Sequence, residues 1–336
     1  MKLKILSKKE TEKLLKMDEV IDVVESAYSQ KSSNKAKIFD WVFNEFIPSV
    51  ADMDIKSGWL MNEGIYGLKQ VSWFSENTSK DLPALMGIVM VFNSNTGEPI
   101  GLVDGDHITG MRTGASGAIG AKYMARENSK TLLMVGTGHI SKYEIAATLM
   151  AIPSLEKVII HDPRNDQKAT NMANNLKTIL ATEYGYYKDI EVQAYDDLES
   201  AVRTSDIIIT ATPSRKPLVK KSWVQPGTHF SCIGSDMPGK EEIDPEIFSE
   251  ARVFVDDLEQ CKHIGEIEIP IQKGIIRDED IVGEIGDIIN GKIKGRENSN
   301  DITVFDATGT ALLDLITAKL AFSKAEIEDI GISVQL

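Results

Sequence analysis

The stretch "TLLMVGTGHISKYEIAATLM", Thr131 to Met150, decides the fold. Its apolar start reads as a buried strand, Gly136 and Gly138 as a tight turn, and the residues from Ser141 onward as a helix. "VGTGHIS" carries the first two glycines of G-x-G-x-x-G, with Ser141 at the third place. A second apolar strand, "KVIIHD", follows the helix and ends in Asp162. Strand, glycine turn, helix and acid-ended strand form a dinucleotide-binding unit. A diphosphate would rest at the helix N-terminus, where free N–H groups and the helix dipole favour negative charge. Gly136 and Gly138 are therefore candidate cofactor contacts. Asp162 would accept from an adenosine ribose and repel a 2′-phosphate, which favours NAD over NADP; Arg164 nearby leaves the phosphorylated form open. The alternative is a βα turn that holds no nucleotide.

Working outward, helix-spaced segments alternate with short apolar runs. "QKATNMANNLKTIL" and "LESAVRTS" read as helices, and "IEVQAY", "DIIITAT", "THFSCIG" and "ARVFVDD" as strands. This rhythm predicts a Rossmann-type doubly wound parallel sheet over residues 129–308. Before it, Ser7 and Glu10 form a capping-box pattern, and Val20, Ile21, Val24, Ala27 and Tyr28 share a helical face. Residues 39–92 read as strands punctuated by "NEG" and "NSNTGEP". The segment "RTGASGAIGAKYMARENS" is a helix of small residues, suited to close approach of another backbone. "TALLDLITAKLAFSKAEI" predicts an amphipathic helix that returns to the first region. The fold class is thus α/β, with residues 1–128 plus 309–336 as an α+β domain closed by the C-terminal helix.

The 336 residues suit two domains, and the formal net charge of -14 disfavours nucleic acid or an anionic membrane as partner. No apolar run is long enough to cross a bilayer, and "MKLKILSKKE" lacks the features of a secretory signal. Two cysteines, Cys232 and Cys261, provide neither a disulfide framework nor metal-ligand spacing. A cytoplasmic protein without a metal site is expected.

Five segments, "YGLKQVSWFSEN", "NTGEPIGLVDGDHITGMRTGASGAIGAKYMA", "VGTGHIS", "IGSDMPGKEEID" and "VFDATGTALLD", together resemble the ornithine cyclodeaminase/mu-crystallin family and follow its order along the chain. The resemblance implies a Rossmann domain joined to a substrate and dimerisation domain, a homodimer, and NAD(P)-linked chemistry at the C–N centre of small amino or imino acids. Lys69 in "GLKQ" matches the family lysine that contacts the substrate carboxylate. An ammonium on a largely apolar strand needs a partner, and a bound carboxylate would be one; a lysine reaching to the surface is the alternative. Arg112 in "GMRTG" matches the family arginine between the two domains, where its planar fork suits bidentate carboxylate binding or a cofactor contact; an ordinary helix-start ion pair is the alternative. Thr113 is implied to bind cofactor phosphate.

Asp236 in "GSDMPGKEE" is the acid/base candidate, expected at the carboxyl edge of the sheet with its pKa moved toward neutrality by partial burial; a turn aspartate is the alternative. Lys240 matches a family cofactor contact, and Thr212, Cys232 and Ile233 match residues lining the nicotinamide side, with core packing as the equal alternative. His139 and Ile140 occupy the turn over the diphosphate, and Thr308 in "VFDATGT" is a candidate substrate contact. His107, His161, His229 and His263 show no ligand spacing. One departure matters. Many members carry a further carboxylate-binding arginine some two dozen residues before the lysine. Here "KIFDWVFNEFIPSV" has none, and Glu45 stands near that place. Losing one cation removes about 1.5–3 kcal/mol of charged hydrogen bonding, unless Lys35 or Lys37 substitutes or the substrate differs.

Retention of Lys69, Arg112 and Asp236 points first to cyclodeaminase-like chemistry, with hydride passed to NAD and back as an amine is lost. The alternatives are a net amino-acid dehydrogenase or imine reductase, of the alanine dehydrogenase or iminosuccinate reductase type, and a catalytically inactive nucleotide-binding protein.

Overall fold

A computed structural model describes residues 2–48 and 50–335. The chain divides into two compact units, Met1–Arg112 with Thr310–Leu336, and Thr113–Gly309.

In the first unit the described residues form an eight-stranded sheet. Its order is Ile332–Gln335, Lys2–Leu6, Pro99–Asp104, Leu85–Asn93, Ile65–Phe74, Ala51–Leu60 and Ala36–Ile38, and Val42–Ile47 also pairs with Ala51–Leu60. Only the contact between Lys2–Leu6 and Pro99–Asp104 is parallel among the described strands. The turn signals fall where expected: Gly64 and Gly97 have φ of 63° and 78° between strands. The Glu10 carboxylate accepts from both Ser7 N–H and Oγ at the first helix, Lys8–Leu14. Val20, Ile21, Val24, Ala27 and Tyr28 are all buried on helix Met17–Ser32.

The C-terminal helix Ala311–Ile327 lies on this sheet, as predicted, but it is not simply amphipathic: every residue from Ala311 to Ala318 is buried. Glycines of the sheet make the approach possible. A Cβ on Gly67 would come within 2.8 Å of Leu315, and one on Gly101 within 2.3 Å of Phe322. The sheet therefore has one face that accepts a backbone-close helix and another that carries exposed Phe46, Phe74, Met86 and Ile88.

The second unit contains the predicted parallel sheet. Its described strands run in the order Glu191–Ala194, Lys157–His161, Thr131–Val135, Ile207–Thr210, His229–Cys232, Ile302–Asp306, Ala251–Val255 and Ile281–Glu284. The order reverses beside Thr131–Val135, which makes the turn after that strand the switch point of a doubly wound sheet. The central strands are buried on both faces, which explains their unbroken apolar runs. The sequence reading did not single out strands Ile281–Glu284 and Ile302–Asp306. The small-residue helix spans Gly105–Met124, and its part from Thr113 belongs to this unit. There a Cβ on Gly114 would lie 2.5 Å from the Tyr143 carbonyl, and one on Gly120 2.3 Å from Phe305. That packing is why the compact units divide inside the helix, whereas the change of rhythm in the sequence comes at residue 129.

Candidate active site

The glycine turn is built for close approach of a ligand. Gly136 has φ of 109° and its N–H donates to the His161 carbonyl at 2.8 Å, tying the ends of two parallel strands together. A Cβ there would meet the Ala211 carbonyl at 2.7 Å. Ser141, at the third motif position, donates its hydroxyl back to the Gly136 carbonyl at 2.9 Å, so the serine closes the turn. A Cβ on Gly138 would meet no atom within 4 Å. That open cradle faces the start of the eleven-residue helix Ser141–Ala151, a fit for a diphosphate. His139 is exposed and its ring packs edge-on against Tyr143, 5.3 Å between centroids. Ile140 is the N-cap of the helix.

Asp162 immediately follows the adjacent strand, Lys157–His161. Its Oδ1 accepts from the backbone N–H groups of Arg164 and Asn165, each at 3.0 Å, and the Thr137 hydroxyl donates to Oδ2. Burial pushes its pKa up, but these hydrogen bonds outweigh burial and hold it below the ordinary aspartate value. Beside it a cavity of about 260 Å³ is lined by Pro163, Arg164, Thr212, Pro213 and Leu218. A second, of about 460 Å³, borders Thr137, Gly138 and His139. The expectation that Asp162 meets the adenosine ribose, with Arg164 close by, has a testable consequence. Asp162→Ala is expected to lower the NAD-over-NADP preference at least tenfold; initial rates with both cofactors measure it, and an unaltered ratio would place the ribose contact elsewhere.

In the first unit the sequence-predicted Lys69 and Arg112 come together on a residue that sequence reading missed. Lys69 Nζ lies 3.0 and 2.9 Å from the two carboxylate oxygens of Asp314, and Arg112 Nε donates to Asp314 Oδ1 at 3.0 Å. Lys69 and Arg112 are 4% and 7% exposed and Asp314 is wholly buried, so neither cation reaches to the surface. A bound carboxylate was the partner expected for Lys69; within the fold Asp314 already pairs with it. Burial, and then the neighbouring Arg112, lower the Lys69 pKa to about 8 although Asp314 opposes them. Burial pushes the Asp314 pKa up, but Arg112 and Lys69 overcome it and hold the carboxyl below its ordinary value. The missed signal was an aspartate inside "ALLDLITA", where the two residues on either side are apolar. The triad carries one net positive charge, available to an anion.

Asp236 differs from expectation. Its side chain is 51% exposed and ion-paired with Lys240, which also donates to the Gly234 carbonyl at 3.2 Å. The partial burial expected for this carboxylate is not found: the loop before Glu241–Ile243 holds it out to solvent. Lys240 spends its charge on Asp236. Cys232 is a core residue with no exposed surface, and burial, then Glu266, Glu242 and Asp306, push its thiol far up, so its side chain lines no open site. Ile233 is 8% and Thr212 5% exposed. The Thr308 hydroxyl donates to Asp256 at 3.2 Å and accepts from Gln260 at 2.7 Å, so it is engaged within the loop after its strand. Thr113 is 8% exposed. His229 is buried between Thr303 and Ser231, and burial lowers its pKa to about 3, which leaves it a neutral structural residue. Among the described residues no group of three His, Cys, Asp or Glu side chains is arranged to hold a metal, and no helix is long and apolar enough to cross a membrane.

Behind the strand ends of the second unit lie buried acids that sequence reading did not single out. Glu242 accepts from the N–H of Thr212 at 2.7 Å and of Gly234 at 2.9 Å, bracing two strand ends. Glu266 accepts from Glu242 N–H and Ile243 N–H, and Asp306 from Ile267 N–H. Glu266 Oε2 and Asp306 Oδ1 are buried without a donor among the described residues. Burial raises the pKa of Glu242 to about 7, that of Asp306 to about 8, and that of Glu266 far up, Glu242 adding to the last. Asp306 thus holds a proton in the fold that it releases near pH 4 when unfolded. Its contribution is complete below that pH and fades as pH rises to about 8, with a slope of about 1.4 kcal/mol per pH unit. Asp306→Asn, whose amide donates at every pH, is expected to flatten the fall of the melting temperature between pH 5 and 8. Parallel curves for variant and wild type would show Asp306 ionised.

The chain belongs to the ornithine cyclodeaminase/mu-crystallin family, whose model matches residues 1–328. It is 37% identical over 331 residues to the alanine dehydrogenase of Archaeoglobus fulgidus, covering 98% of both chains. Among solved structures, an archaeal alanine dehydrogenase dimer with bound NAD superposes with a TM-score of 0.92 at 36% identity, all of both chains covered. The Thermococcus litoralis Δ1-pyrroline-2-carboxylate reductase, in complex with NADH and L-proline, gives 0.91 at 32% identity, covering 99% of this chain and 100% of the other.

Proposed function

We propose that this protein is an NAD(H)-dependent oxidoreductase that interconverts a small L-amino acid with its imine or 2-oxo acid, with net turnover of the cofactor. The observation that carries this reading is the buried Lys69–Arg112 pair, only half neutralised by a single carboxylate, Asp314. A substrate carboxylate completes the charge balance, and two cations fix its orientation. Bound NAD would supply the hydride acceptor for the amino acid Cα, and NADH the hydride donor for the imine. Lys69 and Arg112 bind and orient the carboxylate, and Asp236, ion-paired with Lys240, is the candidate acid/base group. The turn at Gly136 and Gly138 and the Asp162 carboxylate receive the cofactor, and the Asp162 charge selects NAD.

Similarity to an alanine dehydrogenase and a pyrroline-2-carboxylate reductase favours net redox chemistry over the cyclodeaminase reading drawn from motifs alone. The two are separated by following NADH absorbance together with ammonia. Net NADH change with L-alanine, with pyruvate plus ammonium, or with a cyclic imine is expected. Ammonia from ornithine at constant NADH would reverse the assignment. The exposed face of Phe46, Phe74, Met86 and Ile88 is proposed as the contact of a homodimer. Sedimentation at micromolar concentration is expected to give a dimer for wild type and a monomer for Phe46→Asp.

A further inference from the structure

Helix Ala311–Ile327 starts without a side-chain cap. The first N–H groups of a helix have no intrahelical acceptor, and a threonine at the N-cap commonly takes one of them. Thr310 is that N-cap, yet its hydroxyl makes no such bond. The residue is 1% exposed, and its Oγ1 is buried with no partner among the described residues. A buried hydroxyl left unpaired costs free energy, so one here points to a group that accepts its proton when the site is in use.

The surroundings fix the chemistry of that group. Thr310 and Asp314 are four residues apart and share one face of the helix, and helical side chains lean toward the N-terminus. The Asp314 carboxylate therefore leans toward the first turn, where it holds Lys69 Nζ at 2.9 Å and Arg112 Nε at 3.0 Å. The contact through Nε leaves the fork of the two terminal arginine nitrogens for a ligand. A hydroxyl, two cations and a helix start all favour an oxyanion. Thr317, whose buried Oγ1 also has no partner among the described residues, lies beyond Asp314 from the helix start and outside this group.

We propose that Thr310 is a further substrate-binding residue, its hydroxyl donating to the α-carboxylate of the amino acid alongside Lys69 and Arg112, with the first turn of helix Ala311–Ile327 behind it. This rests on the placement of that carboxylate at Lys69 and Arg112. The third donor stands in for the arginine absent from "KIFDWVFNEFIPSV".

The test uses the full chain with NAD(H) and compares wild type with Thr310→Val, Thr310→Ser and Thr317→Val. L-Alanine and L-proline are followed by NADH absorbance. Propanoate, a carboxylate without an amine, is followed by the melting temperature in the presence of NADH. Thr310→Val is expected to raise KM at least tenfold with kcat within threefold of wild type, and to lose most of the propanoate shift. Thr310→Ser keeps the hydroxyl, and Thr317→Val removes one elsewhere on the helix; both are expected to stay within threefold of wild type. Should Thr310→Val fail to fold, Thr310→Ala is measured in its place. An unchanged KM in Thr310→Val overturns the proposal, as does an equal rise in Thr317→Val or in Thr310→Ser. If neither amino acid turns over NADH, the oxidoreductase reading fails for these substrates, and the propanoate titration decides alone: a shift lost in Thr310→Val upholds its role, and an equal shift overturns it. No shift and no turnover in wild type overturn the substrate placement and Thr310 with it.

Discussion

Asp314→Ala is expected to lower the stability of the protein by about 3–5 kcal/mol and to abolish turnover. Asp314 is wholly buried and lies within 3.0 Å of both Lys69 and Arg112. Removing it leaves two like charges in a site from which water is excluded, with no anion between them. An intact buried pair adds little net stability, but breaking one by deleting a partner is costly, because the remaining charge keeps its desolvation penalty. The effect depends on pH with a definite sign. The folded-state pKa of Asp314 is depressed, so its contribution is present above the ordinary aspartate value and lost as pH falls through the lower folded value. Wild type and Asp314→Ala are therefore expected to converge in acid and to differ most at neutral pH. Urea unfolding at pH 7 and pH 3 measures both. Equal stability at pH 7 would mean that the pair is hydrated and the carboxylate dispensable.

Lys69→Met leads to the opposite split between stability and activity. Asp314 keeps Arg112 as its partner, and a desolvated ammonium is removed, so the melting temperature changes by only a few degrees. Substrate binding loses a charged hydrogen bond of about 1.5–3 kcal/mol, roughly a ten- to hundredfold rise in KM. Lys69→Arg does not rescue it, because a planar fork does not replace a compact ammonium at a buried position. The pH profile distinguishes a binding role from a structural one. With the Lys69 pKa lowered to about 8, wild-type substrate affinity is expected to weaken as pH rises through that value and the ammonium loses its proton. Lys69→Met lacks that limb. The depressed pKa also predicts that wild-type stability rises between pH 8 and the ordinary lysine value, since the unfolded chain binds more protons there. A KM unaffected by the substitution would remove Lys69 from the substrate site.

Much of the fold could be read from residue order because it rests on short-range physics. Alternating apolar strands and helices, two glycines at a turn, and an acid at the end of the next strand are local features. The helix Ser141–Ala151 and strand Thr131–Val135 begin and end where their patterns do. Ser141 looked like a defect in the glycine motif, yet its hydroxyl closes the turn onto Gly136. Lys69 and Arg112 were legible as candidates because "GLKQ" and "GMRTG" resemble the motifs of the family. Asp236 was legible too, but its exposure was not, because burial depends on how its loop is held.

By itself the sequence determined the class of fold, the place of the glycine turn, and the identity of the two cations that the fold buries. Only the tertiary structure decided what neutralises them. Asp314 lies more than two hundred residues from Arg112, as does the pairing of Lys69 with it, and no periodicity connects such positions. The same holds for Glu242, Glu266 and Asp306, which converge from separate strand ends. Electrostatic effects in a protein depend on distance through space and on the exclusion of water, and both arise only when distant segments pack together.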